Sequence, residues 1–437
     1  MKLLHYDGPI TESKLKSGGI LACLSVRFAL EFDLSCPTTR SVQATQVERH
    51  LRICLGASPG LDCLLTVAGS EPFLAKAAEE ILDLSGKSAA DLLLHHKELN
   101  CIDRGQRGEL VALLLVMQAR DMATKKDKTS SGRGWIHVGD FMKSLLTQGE
   151  HQALFTALPA HYCLDEKDVS FGTMFNDSKI WFNHIIKIED GDMLHVSELW
   201  KFVSRGAMIL CPPGQYGVDI VIPVCFKGNA LNRDNMTAIF IQVKNATRHR
   251  GRISSKLFNY MDPFEVGLFS SSDNPLPVIR MVFALASNVN SITVAPHPAR
   301  RHGDEFTAYD IWCAGMSPAT FGCIGTDLPS YLLLLERSFQ VNQAYDMVDV
   351  QAGHAPGEVA SKRGAARRQI RALAGSQKAH NYRYEKEEEQ AEEEQAGEEQ
   401  AEEEQMEEQA GEEQAEEEQA ESNWRSKRRR SKRRMAL

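Results

Sequence analysis

Apolar residues recur at helical spacing in the first part of the chain. A helix is predicted over residues 71–82, with Ser70 as its N-cap, because the apolar positions of this segment share one face. A second helix is predicted over Gly108–Arg120, and its nearly continuous apolar surface indicates that it is buried. We therefore expect a mainly helical region over residues 1–125, followed by a linker with a small helical segment over residues 126–180.

The pattern changes after residue 180, where short apolar runs are separated by turn residues, as is typical of buried strands. Helices are predicted over Val196–Ser204 and from Tyr331 to about Tyr345. The order of elements predicts an α/β domain over residues 181–350, with a mixed β-sheet of about five strands flanked by helices. The strand-like runs are 181–188, 207–211, 218–226, 237–243, 278–286 and 306–313.

The last part of the chain has too few apolar residues to build a core. Residues 351–384 are expected to form a flexible linker. Residues 385–421 are an acidic Glu/Gln/Ala repeat with 20 Glu and one Lys, and residues 422–437 are a basic segment with eight Lys or Arg. The formal net charge of −9 therefore hides a nearly neutral body followed by two oppositely charged segments.

The basic segment carries a candidate nuclear localisation signal. Dense positive charge also binds nucleic acid, so a nucleic-acid-binding patch and a basic end with no receptor stay open as alternatives. We expect a nuclear location, with the cytoplasm as the alternative. The residues of the candidate signal are Lys427, Arg428, Arg429, Arg430, Lys432, Arg433 and Arg434.

Several function classes lack support in the sequence. No apolar stretch reaches the roughly 18 residues that span a bilayer, so we do not expect a membrane protein. The 10 cysteines are scattered without a zinc-type spacing and are expected to be reduced and mostly buried. The G-x-S-x-G motif of serine hydrolases and the H-E-x-x-H motif of zinc proteases are absent from the sequence.

Three polar side chains interrupt two neighbouring apolar strands: Asp219 on the first, and Gln242 and Lys244 on the second. Because strand residues alternate between faces, Gln242 and Lys244 are expected on one side, beside Asp219. A buried carboxylate and ammonium are costly unless they are paired or hold a metal. Asp219, the Gln242 amide oxygen and the Val243 carbonyl are ligands suited to Mg²⁺, and Lys244 is suited to orient water or stabilise phosphorane charge. A structural ion pair is the alternative.

These residues resemble the signature of the PD-(D/E)xK nuclease superfamily, in which an Asp on one strand precedes (D/E)-x-K on the next. Here Asp219 is followed by Gln242-Val243-Lys244, the Q-x-K variant of that signature. The resemblance implies a restriction-endonuclease-like fold for the α/β domain. It also implies a Mg²⁺ or Mn²⁺ cofactor and phosphodiester hydrolysis that depends on Asp219, Gln242 and Lys244.

The superfamily often has a further acidic residue on a preceding helix. Glu109, at the start of the predicted buried helix, is our candidate, and Glu198 on the nearer helix competes with it. Pro223 departs from the pattern, because a residue without an N–H suits an edge strand or a bulge. More loosely, the whole chain resembles uncharacterised transposon- or Crinkler-associated proteins of mushroom-forming fungi.

Basic residues follow the second strand, and we expect them to bind nucleic-acid phosphates unless they form only a solvated loop. They are Arg248, Arg250, Arg252 and Lys256. The leading hypothesis is a metal-dependent nuclease acting on nucleic acid, with DNA favoured over RNA. The alternative is a catalytically inactive nuclear scaffold whose acidic repeat binds basic proteins such as histones.

Overall fold

The computed structural model describes most of the chain up to residue 336, and all described residues belong to one unit, Met1–Ala352. The predicted linker, acidic repeat and basic segment lie outside the described residues. The described ranges are 17–30, 37–57, 64–94, 104–126, 134–163, 166–212, 215, 217–227, 231–245, 253–271, 273–297 and 305–336.

The helices of the described residues lie mostly before the central strands. They are α1 (Ser17–Phe28), α2 (Pro37–Glu48), α3 (Pro72–Leu84), α4 (Ala89–Leu94), α5 (Arg104–Lys126), α6 (Val138–Leu145), α7 (His151–Thr156), α8 (Phe171–Met174), α9 (Val196–Ser204), α10 (Ser255–Asn259) and α11 (Leu328–Glu336).

The strands of the described residues form a small two-stranded sheet and a nine-stranded one. They are β1 (Arg52–Ala57), β2 (Leu64–Ala68), β3 (Ile136–His137), β4 (Lys179–Ile180), β5 (His184–Lys187), β6 (Ala207–Leu210), β7 (Ile220–Cys225), β8 (Met236–Lys244), β9 (Val278–Ala284), β10 (Ser291–Val294) and β11 (Ala308–Ala314).

The large sheet is mixed, with the order β10-β11-β9-β8-β7-β4-β3, and β6 joins β5 to β7. β7 runs antiparallel to both of its neighbours β6 and β8, whereas β9 runs parallel to both β8 and β11. β9 and β11 are buried along their whole length, which explains their almost continuous apolar sequences.

The sheet separates two apolar cores. Ile241 of β8 packs in the first core with Leu113 of α5, while the adjacent Phe240 packs in the second core with Leu199 of α9 and Phe258 of α10. Neighbouring residues of β8 thus point to opposite faces, as expected for a strand. α5 lies on one face of β8 and α9 on the other.

The mixed α/β class is confirmed, as are the helix over Gly108–Arg120 and its burial. Two details of the prediction are wrong. The large sheet has nine strands and not about five, because β3, β4 and β5 are short and β10 is only half-buried. The N-cap of α3 is Glu71 and not Ser70.

Pro223 lies inside the central strand β7, so the expectation of an edge strand or bulge is wrong. One flank of β7 pairs continuously with β8, and Pro223 faces Ala238 there. On the other flank, β6 pairs with Ile220 and Val221, and β4 pairs with Val224 and Cys225. Pro223 falls between these two partners, where its missing N–H removes no ladder hydrogen bond from either.

None of the described helices is both long and apolar enough to span a bilayer. No disulfide joins the cysteines of the described part of the chain. Five of these seven side chains are buried, and Cys54 is exposed.

Candidate metal site

Asp219 directly precedes β7 and lies beside the end of β8. Its backbone N–H donates to the Ile241 carbonyl at 3.0 Å, and its Oδ2 accepts from the Val243 N–H at 2.5 Å. The paired residues of β7 and β8 end at Ile220 and Ile241, and Asp219 lies just beyond this last pair. The carboxylate is therefore anchored to the strand that carries the Q-x-K residues.

Gln242 and Lys244 share one face of β8. Phe240 packs in the second core, and residues two apart on a strand point the same way, so Gln242 and Lys244 face that side. Asp219 lies in a bend just before β7, and its carboxylate reaches β8 through the hydrogen bond to the Val243 N–H. Val243 lies between Gln242 and Lys244 in sequence.

Gln242 carries an unsatisfied polar atom. The residue is 7% exposed, and its Oε1 has no hydrogen-bond partner among the described residues. Leaving a buried amide oxygen without a donor costs about 1–3 kcal/mol. A buried acceptor at the polar end of an otherwise apolar strand points to a partner outside the described residues.

Glu109 approaches the same end of the sheet from α5. The preceding Gly108 packs so tightly on β8 that an added Cβ would lie 2.9 Å from Asn245 Cβ and 3.4 Å from Val243 Cγ1. Burial raises the pKa of the Cys211 thiol well above its usual value, and the charges of Asp219 and Glu109 raise it further. Both carboxylates are thus close enough to act on one thiol.

Glu198, the competing acidic residue, is engaged elsewhere. It forms an ion pair with Lys201, one turn along the exposed side of α9. Of the two candidates from the sequence, Glu109 is the one whose charge reaches the neighbourhood of Asp219.

Val243 and Lys244 face different neighbours. The Val243 N–H points to the β7 flank of β8, and the Lys244 carbonyl accepts from Leu285 N on the β9 flank at 2.9 Å. The N–H and C=O of one strand residue point to the same flank, so the Val243 carbonyl also faces Asp219. Lys244 is half-buried at the end of β8.

Of the four predicted phosphate-binding residues, only Lys256 lies in the described part of the chain. It belongs to α10, with its Nζ 6.0 Å from the ring centroid of Tyr260. The Tyr260 carbonyl in turn packs on Gly217, two residues before Asp219. Arg248, Arg250 and Arg252, and the candidate localisation signal, lie outside the described residues.

A second pair of buried charges lies in neighbouring strands and shows a different arrangement. Arg280 of β9 donates through Nε and Nη2 to the two carboxylate oxygens of Asp310 on β11, both at 2.6 Å, and through Nη1 to the Phe258 carbonyl at 2.8 Å. Both residues are at most 3% exposed. This ion pair is closed and fully hydrogen-bonded, so it stabilises the sheet and offers no group to a ligand.

Within the described ranges, no group of three or more His, Cys, Asp or Glu side chains is arranged to hold a metal ion. The oxygen donors at this end of the sheet are the carboxylates of Asp219 and Glu109, the Gln242 amide oxygen and the Val243 carbonyl, with Glu109 on α5 at the face of β8 opposite Gln242. Such an all-oxygen set fits a hard cation such as Mg²⁺ or Mn²⁺ and does not suit a structural zinc. The orphaned Gln242 oxygen is the feature that fits a cation best.

Comparison with known proteins gave no match among family models, curated proteins or solved structures. Any functional conclusion therefore depends on the residues and geometry of this chain.

Three contributors to this region were not singled out in the sequence. Cys211 lies opposite Asp219, whose carbonyl accepts from the Cys211 N–H at 2.9 Å. Gly108 allows α5 to approach β8, and Gly217 allows α10 to approach the Asp219 loop. Glycines directly before Glu109 and two residues before Asp219 were the available signal, since glycine marks close backbone approach.

Proposed function

We propose that this protein is a metal-dependent nuclease that hydrolyses phosphodiester bonds of nucleic acid. Asp219, Gln242, Glu109 and Lys244 form its site. The observation that carries this proposal is the buried Gln242 Oε1, which has no hydrogen-bond partner among the described residues and lies next to Val243, whose N–H donates to the Asp219 carboxylate. A cation is the natural partner for an amide oxygen beside carboxylates.

Each residue has a defined task in this proposal. Asp219, Gln242, Glu109 and the Val243 carbonyl hold Mg²⁺ or Mn²⁺ at the end of β8. When bound, the cation polarises the phosphoryl oxygen and makes bound water more acidic. The Lys244 ammonium, on the same face, orients the attacking water or stabilises the charge that develops on the phosphoryl oxygens.

DNA is the proposed substrate. The charge of the basic segment suits nuclear import, which would bring the protein to DNA. In this proposal Lys256, on α10, contacts a phosphate of the strand being cleaved; its neighbour Tyr260 packs on Gly217, two residues before Asp219, which supports this role.

The first prediction concerns cleavage. Purified protein should nick supercoiled plasmid DNA in the presence of Mg²⁺ or Mn²⁺ and lose this activity in a chelator. Asp219→Asn and Lys244→Met should each lower the rate by at least about 100-fold, because each removes a charge that acts on the transition state. Gel-based nicking rates and melting temperatures of the same preparations provide the measurement.

Matched controls separate the site from general charge effects. Asp234→Asn changes an exposed carboxylate in the turn before β8, and Lys201→Met changes an exposed ammonium on α9; both should cleave like the wild type. Cleavage that survives Asp219→Asn and Lys244→Met would exclude these residues from the mechanism. A chain lacking residues 385–437 should still cleave, whereas a scaffold that acts through its acidic repeat would lose its basic partners.

A further inference from the structure

A hydrogen-bonded chain joins Ser70, His184 and Asn183, apart from the candidate metal site. Ser70 Oγ lies 2.9 Å from His184 Nε2, and His184 Nδ1 lies 2.8 Å from Asn183 Oδ1. Ser70 precedes α3, while His184 is the first residue of β5, and 114 positions separate the two residues in sequence. The arrangement is therefore a product of tertiary structure and not of a local turn.

The neighbouring groups fix the position of each proton. The Asn183 Nδ2 donates to the Pro72 carbonyl at 3.0 Å, so the Asn183 oxygen is the atom that faces His184. An amide oxygen only accepts, which requires the proton of a neutral imidazole to be on Nδ1. The lone pair is then on Nε2, and the Ser70 hydroxyl donates to it.

Arg205 completes the surroundings of Ser70. Its Nε donates to Ser70 Oγ at 3.1 Å, and its Nη2 donates to the Ser70 carbonyl at 2.8 Å. A guanidinium beside the hydroxyl stabilises negative charge that develops on Oγ. Ser70 is half-buried, His184 is buried and Arg205 is exposed, so the hydroxyl lies at the boundary between the base and solvent.

We propose that Ser70 is a nucleophile that accepts acyl groups from carboxylic esters, with His184 as general base and Asn183 as a positioning residue. Ser70 Oγ bonds to the carbonyl carbon while its proton moves to His184 Nε2. The bond to the leaving alcohol then breaks, and the departing oxygen takes that proton. Water hydrolyses the acyl-serine in the same way and returns a proton to Ser70.

The surface next to Ser70 suits an ester with an apolar acyl group. Phe73 is 88% exposed and follows Ser70 by three residues, at the start of the 13-residue helix α3. An exposed phenyl ring at this place provides an apolar contact for the acyl chain.

The electrostatic surroundings give this site an unusual pH dependence. Burial lowers the pKa of His184 to about 4, and the positive charges of Arg205 and Arg27 lower it further. Arg27 belongs to α1 and forms an ion pair with Asp121. The imidazole therefore stays neutral, and able to accept a proton, down to about pH 5. A Ser-His site with an ordinary histidine would lose its base below about pH 6.5.

The second prediction uses a fluorophosphonate probe on the full chain. In the labelling reaction, Ser70 Oγ bonds to phosphorus, fluoride leaves, and the Ser70 proton passes to His184. One adduct should form on Ser70, as shown by intact mass and peptide mapping. The labelling rate should vary by no more than about twofold between pH 5 and pH 8, because the imidazole remains neutral throughout. 4-Nitrophenyl acetate should be hydrolysed with the same pH dependence.

Three variants test the roles. Ser70→Ala should abolish labelling, and His184→Gln should slow it by at least about 100-fold through loss of the base. Ser204→Ala removes an exposed hydroxyl next to Arg205 and should have no effect. Asn183→Asp should raise the imidazole pKa, so that the rate at pH 5 falls below the rate at pH 8.

Wild-type protein that is not labelled, or labelling that survives Ser70→Ala, would overturn the proposal. A flat pH profile in Asn183→Asp would remove Asn183 from its positioning role. The assay contains no metal and no nucleic acid, so its outcome is independent of the nuclease proposal.

Discussion

Buried polar groups in this protein differ in how completely their neighbours satisfy their hydrogen bonds. Arg280 and Asp310 saturate each other, whereas the Gln242 Oε1 beside Asp219 has no partner within the described residues. A saturated pair stabilises the fold, and an unsatisfied acceptor among carboxylates suggests a ligand. The difference between the two strand pairs is therefore the residue-scale basis for assigning structure to one and function to the other.

Asp121 provides a test of the buried ion pairs through pH. It accepts from Arg27 at 2.9 and 2.8 Å and from Arg120 at 2.8 Å. Burial alone would raise its pKa, but these two guanidiniums outweigh burial and hold the pKa below the usual 3.8. Because the folded pKa is lowered, the carboxylate stabilises the protein above about pH 3.8, and this contribution is lost as the pH falls through the folded pKa.

The third prediction follows from that sign. Urea unfolding at pH 7 should show Asp121→Asn less stable than the wild type by about 3–5 kcal/mol, because a buried ion pair is broken. The difference should shrink as the pH falls below about 4. Asp83→Asn, which alters an exposed pair with Lys125, should change stability by less than about 1 kcal/mol at either pH. A difference for Asp121→Asn that grows on acidification would contradict the assignment.

At the scale of elements, close backbone approach positions the candidate metal site. Gly108 allows α5 to pack on the end of β8, which brings Glu109 to the same end of the sheet as Asp219. Gly217 has a φ of +74°, and an added Cβ would lie 1.7 Å from the Tyr260 carbonyl oxygen. Each glycine thus places an element against the residues proposed to bind the cation.

The fourth prediction compares two glycines with positive φ. Gly217→Ala should lower the free energy of unfolding by more than about 2 kcal/mol and impair cleavage, because backbone strain and the clash with Tyr260 displace the Asp219 loop. Gly267→Ala has a similar φ of +85° but meets no atom within 4 Å. It should cost only about 1 kcal/mol from strain and leave cleavage intact. Equal effects of the two changes would show that contact with Tyr260 is unimportant.

The sequence predicted the central elements well and the peripheral ones poorly. α9 has the predicted bounds, and β7, β8 and β9 fall within about two residues of theirs, because long buried runs carry a strong pattern. β3 and β4 have two residues each, too few to show alternation. β1 was missed because its residues after Arg52 are exposed, so no buried face marks it.

At the scale of the whole molecule, strand periodicity was sufficient to place Gln242 and Lys244 on one face of β8. It did not reach Asp219, which lies in a bend before β7. The position of Glu109 depends on tertiary packing, since it precedes Asp219 by about a hundred residues. Cys211 and the Ser70–His184 pair were likewise beyond reach, because neither has a local motif.

The account depends most on a cation at the end of β8, and calorimetric titration of Mn²⁺ into the full chain tests this directly. Wild-type protein should bind one Mn²⁺ ion. The affinity of Gln242→Glu for Mn²⁺ should be on the order of tenfold higher than that of the wild type because of the added negative charge, and Gln242→Leu should lose binding. Gln152→Glu, an exposed change on α7, should behave as the wild type. Equal affinity in Gln242→Leu and wild type, or no binding by Gln242→Glu, would contradict the central claim.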